Sequence, residues 1–301
     1  MDDLTPLISG IASDRESGAS EILSRALDVL RQAMSRPAGD RLRIARALCR
    51  AQPGMAPVWN AALAAVTDEG QPARFERFVQ RVQRAPAALT RVATEWFSEL
   101  DPSPRARKSG PLSLVTLSSS ASVRQALEAL VKVRPLRVAC AEGRPALEGR
   151  HMASALAKAG AEVTLFSDAA IAEGLSDRDA VIVGADAVAP EWLINKVGTR
   201  MLAAAAALVG VPVYVAASRD KFCAPGLARY ILPRDGSPAE IWDTAPSAIS
   251  VRNPYLERVP LDLVTALITD GGMMPAANVP QFCASLESAE LANLAKQLAV
   301  Q

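Results

Sequence analysis

The chain of 301 residues is short of the side chains that carry much of soluble enzyme chemistry: it has one histidine, four cysteines and only 4% aromatic residues. With His151 alone, a histidine-rich metal centre and a catalytic histidine pair are both excluded. Cys49, Cys140, Cys223 and Cys283 lie far apart with no CxxC pair. That argues against a zinc site and a disulfide scaffold, and makes a reducing cytoplasm the expected setting. No GxGxxG follows a candidate strand and no GxxxxGK[ST] occurs, which disfavours a nicotinamide enzyme and a P-loop NTPase. The longest apolar run, about Met201–Val209, is too short to cross a bilayer, and the acidic, polar-broken start is unlike a secretory leader. An excess of one charge is missing as well: 33 basic residues face 32 acidic ones, for a net charge of +1. The basic footprint of a nucleic-acid binder is therefore absent. No cofactor, metal, nucleic-acid or membrane partner is expected.

What is present is a large apolar fraction, 50%, in a pattern that changes once along the chain. In the first hundred residues apolar positions recur three and four apart, as in Ile22, Leu23, Ala26, Leu27, Leu30 and Met34, the period of a half-buried helix. Pro37–Gly39 should end that helix and Asp40 should cap the next, which runs to about Arg50. Further helices are expected near Pro57–Val66, Pro72–Arg84 and Pro86–Leu100, with proline at the first turn. Asp101–Gly110, rich in Pro, Ser and basic residues, reads as a linker. Beyond it, short apolar runs at Leu112–Leu117, Leu136–Cys140, Glu162–Phe166, Ala180–Val183 and Val211–Ala216 alternate with helical stretches near Ser120–Val131, Leu147–Ala159, Ala169–Glu173 and Lys196–Leu208. That alternation predicts an α/β fold: a helical domain over 1–100, a linker over 101–110, and a doubly wound parallel-sheet domain over 111–301.

In such a sheet ligands collect where strands end and helices begin. The first strand end supplies Ser118, Ser119 and Ser120, either phosphate donors or a plain helix cap. The second supplies Cys140, Glu142 and Arg144; the guanidinium suits phosphate, while a surface ion pair is the plainer reading, as burial is for the thiol. The fourth supplies Asp186, a carboxylate straight after a buried strand, where lost solvation raises its pKa toward use as a general acid or base. Asn195 and Lys196 should open the following helix, and Lys221 follows the fifth strand. Two of only six lysines thus fall at ligand positions.

The segments Gly184-Ala185-Asp186-Ala187-Val188, Ile194-Asn195-Lys196-Val197-Gly198-Thr199, Lys221-Phe222 and Asn253-Pro254 through Pro275 occur in the order seen in the initiation factor 2B alpha/beta/delta family, which this chain resembles over roughly 111–285. That family includes ribose-1,5-bisphosphate and methylthioribose-1-phosphate isomerases. Ser17-Gly18-Ala19-Ser20 looks like its Arg-Gly-Ala phosphate loop, with Ser17 in place of the arginine and Arg15 two residues earlier. The resemblance implies a helical N-terminal domain before a Rossmann-like one, and a pocket for a phosphorylated pentose. In it Gly18, Ala19, Ser20, Arg144 and Lys221 hold phosphate, Asn195 and Lys196 border the sugar, and Asp186 matches the catalytic aspartate. Aligning Thr116 and Ser120 with the isomerases' cysteine segment puts Ser118 at the cysteine position and Leu117 at that of its histidine; Cys140 substitutes only if its sulfur reaches the same sugar carbon. The implied activity is aldose–ketose isomerisation of a pentose 1-phosphate or 1,5-bisphosphate. The competing reading is a non-catalytic metabolite-sensing or regulatory subunit resembling translation initiation factor 2B alpha. Family members pair through their C-terminal domains, so a homodimer or higher homo-oligomer is expected, with the apolar Val259–Pro275 stretch as core or interface.

Overall fold

The computed structural model of the chain describes residues 3–14, 17–67, 73–100 and 110–299. The helical periodicity of the N-terminal third becomes α1 (Thr5–Ser13), α2 (Ala19–Ala33), α3 (Ala38–Ala51), α4 (Ala56–Val66) and α5 (Ala73–Glu99). The stripe Ile22, Leu23, Ala26, Leu27 and Leu30 is buried against α4, whose Ala61, Ala62 and Ala65 let the two helices approach closely. Helix α1 has no counterpart in the sequence reading, and α3 starts after Pro37, with Asp40 inside its first turn rather than at its cap. The two segments expected on either side of Arg84 are one helix that runs through Pro86. Proline is tolerated there because it lies on the exposed side, while Phe78, Val79, Leu89, Val92 and Phe97 anchor the buried face before and after it. Of the expected linker, 101–109 lies outside the described residues.

The rest of the chain runs β1 (Leu112–Leu117), α6 (Ala121–Leu130), β2 (Leu136–Ala141), α7 (Glu148–Ala159), β3 (Glu162–Phe166), β4 (Ala180–Gly184), β5 (Ala187–Val188), β6 (Trp192–Lys196), α8 (Thr199–Val209), β7 (Val213–Ala216), α9 (Pro225–Ala228), α10 (Ala239–Trp242), β8 (Leu256–Pro260), β9 (Ala266–Thr269), β10 (Gly272–Pro275), α11 (Val279–Ser285) and α12 (Ala289–Ala299). A mostly parallel sheet has the order β10-β9-β7-β4-β1-β2-β3, with only β10 antiparallel to its neighbour. Strands β1, β4 and β7 are buried along their whole length, as continuous apolar runs require. At the sheet edge β3 is largely exposed, which corrects the expectation of burial on both faces. The segment after it, expected as an α-helix, is a 3-10 helix over Asp168–Leu175.

A second correction decides where the site lies. Lys196 was expected to open a helix, but Asn195 and Lys196 end β6, the centre of an antiparallel three-stranded sheet β5-β6-β8. Helix α8 begins only at Thr199. Within the Val259–Pro275 stretch, Val259, Leu261, Leu267 and Ile268 are buried in the chain's own core. The two parts interlock: Leu89, Val92 and Phe97 of α5 pack with β1 and β2, and Ala295 and Leu298 of α12 pack into the N-terminal helices. Among the described residues no helix is long and apolar enough to cross a membrane.

Candidate active site

The strand order changes direction between β1 and β4, and a cavity of about 260 Å³ lies outside the carboxyl ends of those strands, where an open parallel sheet leaves its crevice. Strand β1 delivers Ser118 to its wall with φ 62°, a left-handed conformation uncommon for a residue carrying a Cβ. Ser120 caps α6, its hydroxyl accepting the Val123 N–H at 3.5 Å. Strand β4 can pass beneath that cap only because it ends in glycine: a Cβ on Gly184 would stand 2.5 Å from Ser120 Oγ and 2.7 Å from Ser120 Cβ. Opposite, Gly18, Ala19 and Ser20 form the start of α2 and line the same cavity. Two helices therefore begin at one pocket, and first-turn N–H groups without an intrahelical acceptor are a natural anion cradle.

Between them stand the charged groups. The Asp186 backbone is fixed, its N–H donating to the Ile194 carbonyl at 2.7 Å and its carbonyl accepting the Ala56 N–H at 3.1 Å. Among the described residues no donor bonds its carboxylate, so the group is not consumed in holding the turn. Burial pushes its pKa up to about 6, against the pull of the Lys221 and Lys196 charges. Lys221 ends the short 3-10 turn Arg219–Lys221 after β7; it is 4% exposed and makes no ion pair among the described residues, so its ammonium is available to an anion in the cavity.

Lys196 differs. Its Nζ lies 2.9 Å from Glu148 Oε1 and 3.5 Å from the centroid of the Tyr255 ring, and the Tyr255 hydroxyl donates to the same Glu148 oxygen at 2.5 Å. Burial lowers the Lys196 pKa and the Glu148 carboxylate opposes that shift. This triad fixes the ammonium at the cavity wall rather than leaving it without a partner. Asn195 is held by a 2.9 Å bond from its amide to Thr199 Oγ1. Sequence reading missed Glu148, Tyr255, His151 and Arg124, all of which line the cavity. The glycines at 143 and 149 were the available signal for Glu148, and Asn253-Pro254 for Tyr255.

Three expectations fail against this geometry. Cys140 is fully buried among Leu114, Val138, Met152 and Leu156; it does not line the cavity, and burial raises its thiol pKa to about 12. The period-2 pleat of β2 turns its side chain into the core. Arg144 faces a neighbouring cavity beside Pro145 and Met201, because its backbone N–H and that of Gly143 are bound by the Asp168 carboxylate at 2.6 and 2.8 Å. The helix that Asn195 and Lys196 were expected to open starts instead at Thr199, and its N-terminus is filled from within: Glu257 Oε1 accepts the N–H groups of Gly198 and Arg200 at 2.8 and 2.9 Å. Arg15 lies outside the described residues. Ser118, Asp186, Asn195, Lys196, Lys221, Gly18, Ala19 and Ser20 come together.

Comparison with known proteins places this geometry in context. The Initiation factor 2 subunit family matches residues 61–276. Ribose 1,5-bisphosphate isomerase of Archaeoglobus fulgidus is 33% identical over 175 residues, 56% of this chain and 55% of that protein. Methylthioribose-1-phosphate isomerase of Exiguobacterium sibiricum is 34% identical over 160 residues, 48% of this chain and 44% of that protein. The chain thus spans about half the length of these curated relatives. Among solved structures, translation initiation factor eIF-2B of Pyrococcus horikoshii OT3 superposes with a TM-score of 0.75 at 21% identity, over 90% of this chain and 96% of that one.

Proposed function

The chain belongs to the Initiation factor 2 subunit family, and from that premise we propose that it is an aldose–ketose isomerase acting on a pentose 1-phosphate or 1,5-bisphosphate. The observation that carries the reading is Asp186: a carboxylate that no donor bonds among the described residues, with its pKa raised to about 6, in one cavity with Lys221, which makes no ion pair among those residues, and with two helix N-termini. A sugar whose phosphate lies against the start of α6 or α2 and Lys221 brings its C1 and C2 to Asp186. The conversion breaks the bond from C1 to the ring oxygen, which gains a proton; the C2 hydrogen moves to C1 with its electron pair, and the C2 hydroxyl gives up its proton. Asp186 takes that hydroxyl proton and can return one to the departing ring oxygen. Lys196, pinned by Glu148 and Tyr255, supplies positive charge where oxygen becomes negative. The names of the isomerase relatives support this substrate class.

The hydroxyl at Ser118, where the isomerases have a thiol, favours a second reading, a sensor that binds the sugar phosphate without turnover. Incubation of the protein with ribose 1,5-bisphosphate or methylthioribose 1-phosphate, followed by 13C NMR, separates the two. The isomerase gives a ketone signal at C2. Sugar-phosphate binding with no ketone in either the wild type or Ser118→Cys assigns the sensor.

If Asp186 is the base, log kcat/KM rises with unit slope below a pH of about 6 and is flat above it, because only the deprotonated carboxylate accepts a proton. A rate independent of pH from about 5 to about 7 contradicts the assignment. Cys140→Ala should leave turnover unchanged and lower stability by about 1 kcal/mol, the effect of a small core truncation; lost activity with the melting temperature kept returns the thiol to the mechanism. We further propose a homodimer or larger homo-oligomer, checked by light scattering, with a monomeric mass at every concentration as the contrary result.

A further inference from the structure

A second cavity, of about 400 Å³, lies on the other side of the Arg219–Lys221 turn. Its floor is apolar, made by Leu63 of α4, Phe78 of α5, Phe222 and Leu227 beyond the turn, and Leu286 and Leu291 near the C-terminus. Its rim is cationic. Arg74, Arg77 and Arg81 recur at three and four residues along one face of α5, and Arg219 faces them from the turn. Two of the four are engaged: Arg219 is held by Asp270 at 3.0 Å, and Arg74 stands 4.0 Å from Glu290. Arg77 and Arg81 have no acidic partner among the described residues, and Arg81 leans on the Phe78 ring with its guanidinium carbon 5.1 Å from the centroid. The cavity wall also carries one acid, Glu287, whose Oε2 accepts the Gly226 N–H at 2.5 Å.

Arginines repeated along a helix usually mean only a solvated face. Here they surround a concave cavity whose volume is that of a small-molecule site, with an apolar floor on which Leu286 and Leu291 are partly exposed, beneath two guanidinium groups that have no acidic partner among the described residues. The geometry points to a second ligand site, for a small molecule that joins an aromatic or aliphatic body to a phosphate, sulfate or carboxylate group. The body fills the space between Phe78, Phe222 and Leu291, and the anion accepts hydrogen bonds from Arg77 and Arg81, whose planar forks suit a multi-oxygen anion. This site does not depend on the isomerase reading, since no residue on its rim or floor lines the pocket of Asp186.

Phenyl phosphate, which carries both halves of that ligand, is the probe. Calorimetric titration of the whole protein should show saturable binding, roughly tenfold or more tighter than for phenol or inorganic phosphate alone. In Arg77→Ala/Arg81→Ala, where both side chains are exposed and the melting temperature should hold, that component weakens by roughly tenfold or more. Hydrogen exchange with the probe bound should protect 74–81 and 286–292. No saturable binding at concentrations on the order of 10 mM, or equal binding by wild type and the double variant, overturns the proposal.

Discussion

Asp186→Asn is expected to lower isomerase turnover by roughly 10²–10⁴-fold, the usual contribution of a positioned acid–base group, while the protein stays folded. The substitution keeps the shape and removes the proton acceptor. What makes it diagnostic is its effect on stability, which runs the opposite way from that of a structural carboxylate. Because burial raises the Asp186 pKa from 3.8 to about 6, the folded chain binds more protons than the unfolded one between those values. The stability gained from protonation is complete below 3.8 and lost as the pH passes through 6, so at neutral pH the ionised group is a cost to the fold. The Asn variant escapes that cost. It should melt no lower than wild type at pH 7, with its relative advantage fading as the pH falls toward 4. Thermal melts at the two pH values, beside the turnover assay, check both halves. A variant that melts well below wild type at pH 7 would make Asp186 a structural residue and leave the enzyme reading without its base.

The largest expected effect on stability belongs to Gly149→Ala. In an ordinary exposed helix that change stabilises by up to about 1 kcal/mol, since alanine is the better helix former. Gly149, however, sits in the first turn of α7 where it crosses the end of β2. A Cβ there would lie 1.8 Å from the Ala141 carbonyl oxygen and 2.8 Å from the carbonyl carbons of Ala141 and Glu142. All three atoms are backbone, so no side-chain rotation relieves the clash. Helix α7 must move off the sheet, breaking the 2.9 Å bond from the Gly149 N–H to the Glu142 carbonyl and shifting Glu148 away from Lys196 and Tyr255. A loss beyond about 4 kcal/mol is expected, which at roughly 2 °C per kcal/mol for a chain of this size lowers the melting temperature by about 8 °C or more. A melting temperature equal to or above wild type would show that α7 does not approach β2 as described.

How far the sequence leads can be judged from these same residues. The buried strands β1, β4 and β7 stand out as apolar runs, and Ser118 and Asp186 at their ends follow from the rule that ligands gather there. The small antiparallel sheet does not stand out: β5 has two residues, β6 is separated from α8 only by Val197 and Gly198, and β8 interrupts its apolar positions with Glu257 and Arg258. That is why Lys196 looked like a helix opener. Cys140 looked available because a strand end is visible in sequence while the facing of one side chain across the pleat is not. Glu148 and Tyr255 are 107 residues apart, and only tertiary packing reveals that they share one ammonium. Pro86 misled for the converse reason, since packing on the far face of α5 outweighs its local effect.

In the proposed reaction one cavity, built from the start of α2, the start of α6, Lys221 and Asp186, takes a pentose phosphate in a reactive pose. A crystal structure of the protein soaked with ribose 1,5-bisphosphate tests it most directly. The expected result is a phosphate against the first-turn N–H groups of α6 or α2 and Lys221 Nζ, with the C2 hydroxyl about 2.6–3.2 Å from an Asp186 carboxylate oxygen. A sugar phosphate bound elsewhere on the chain, or held in this cavity with C1 and C2 turned away from Asp186, would contradict it.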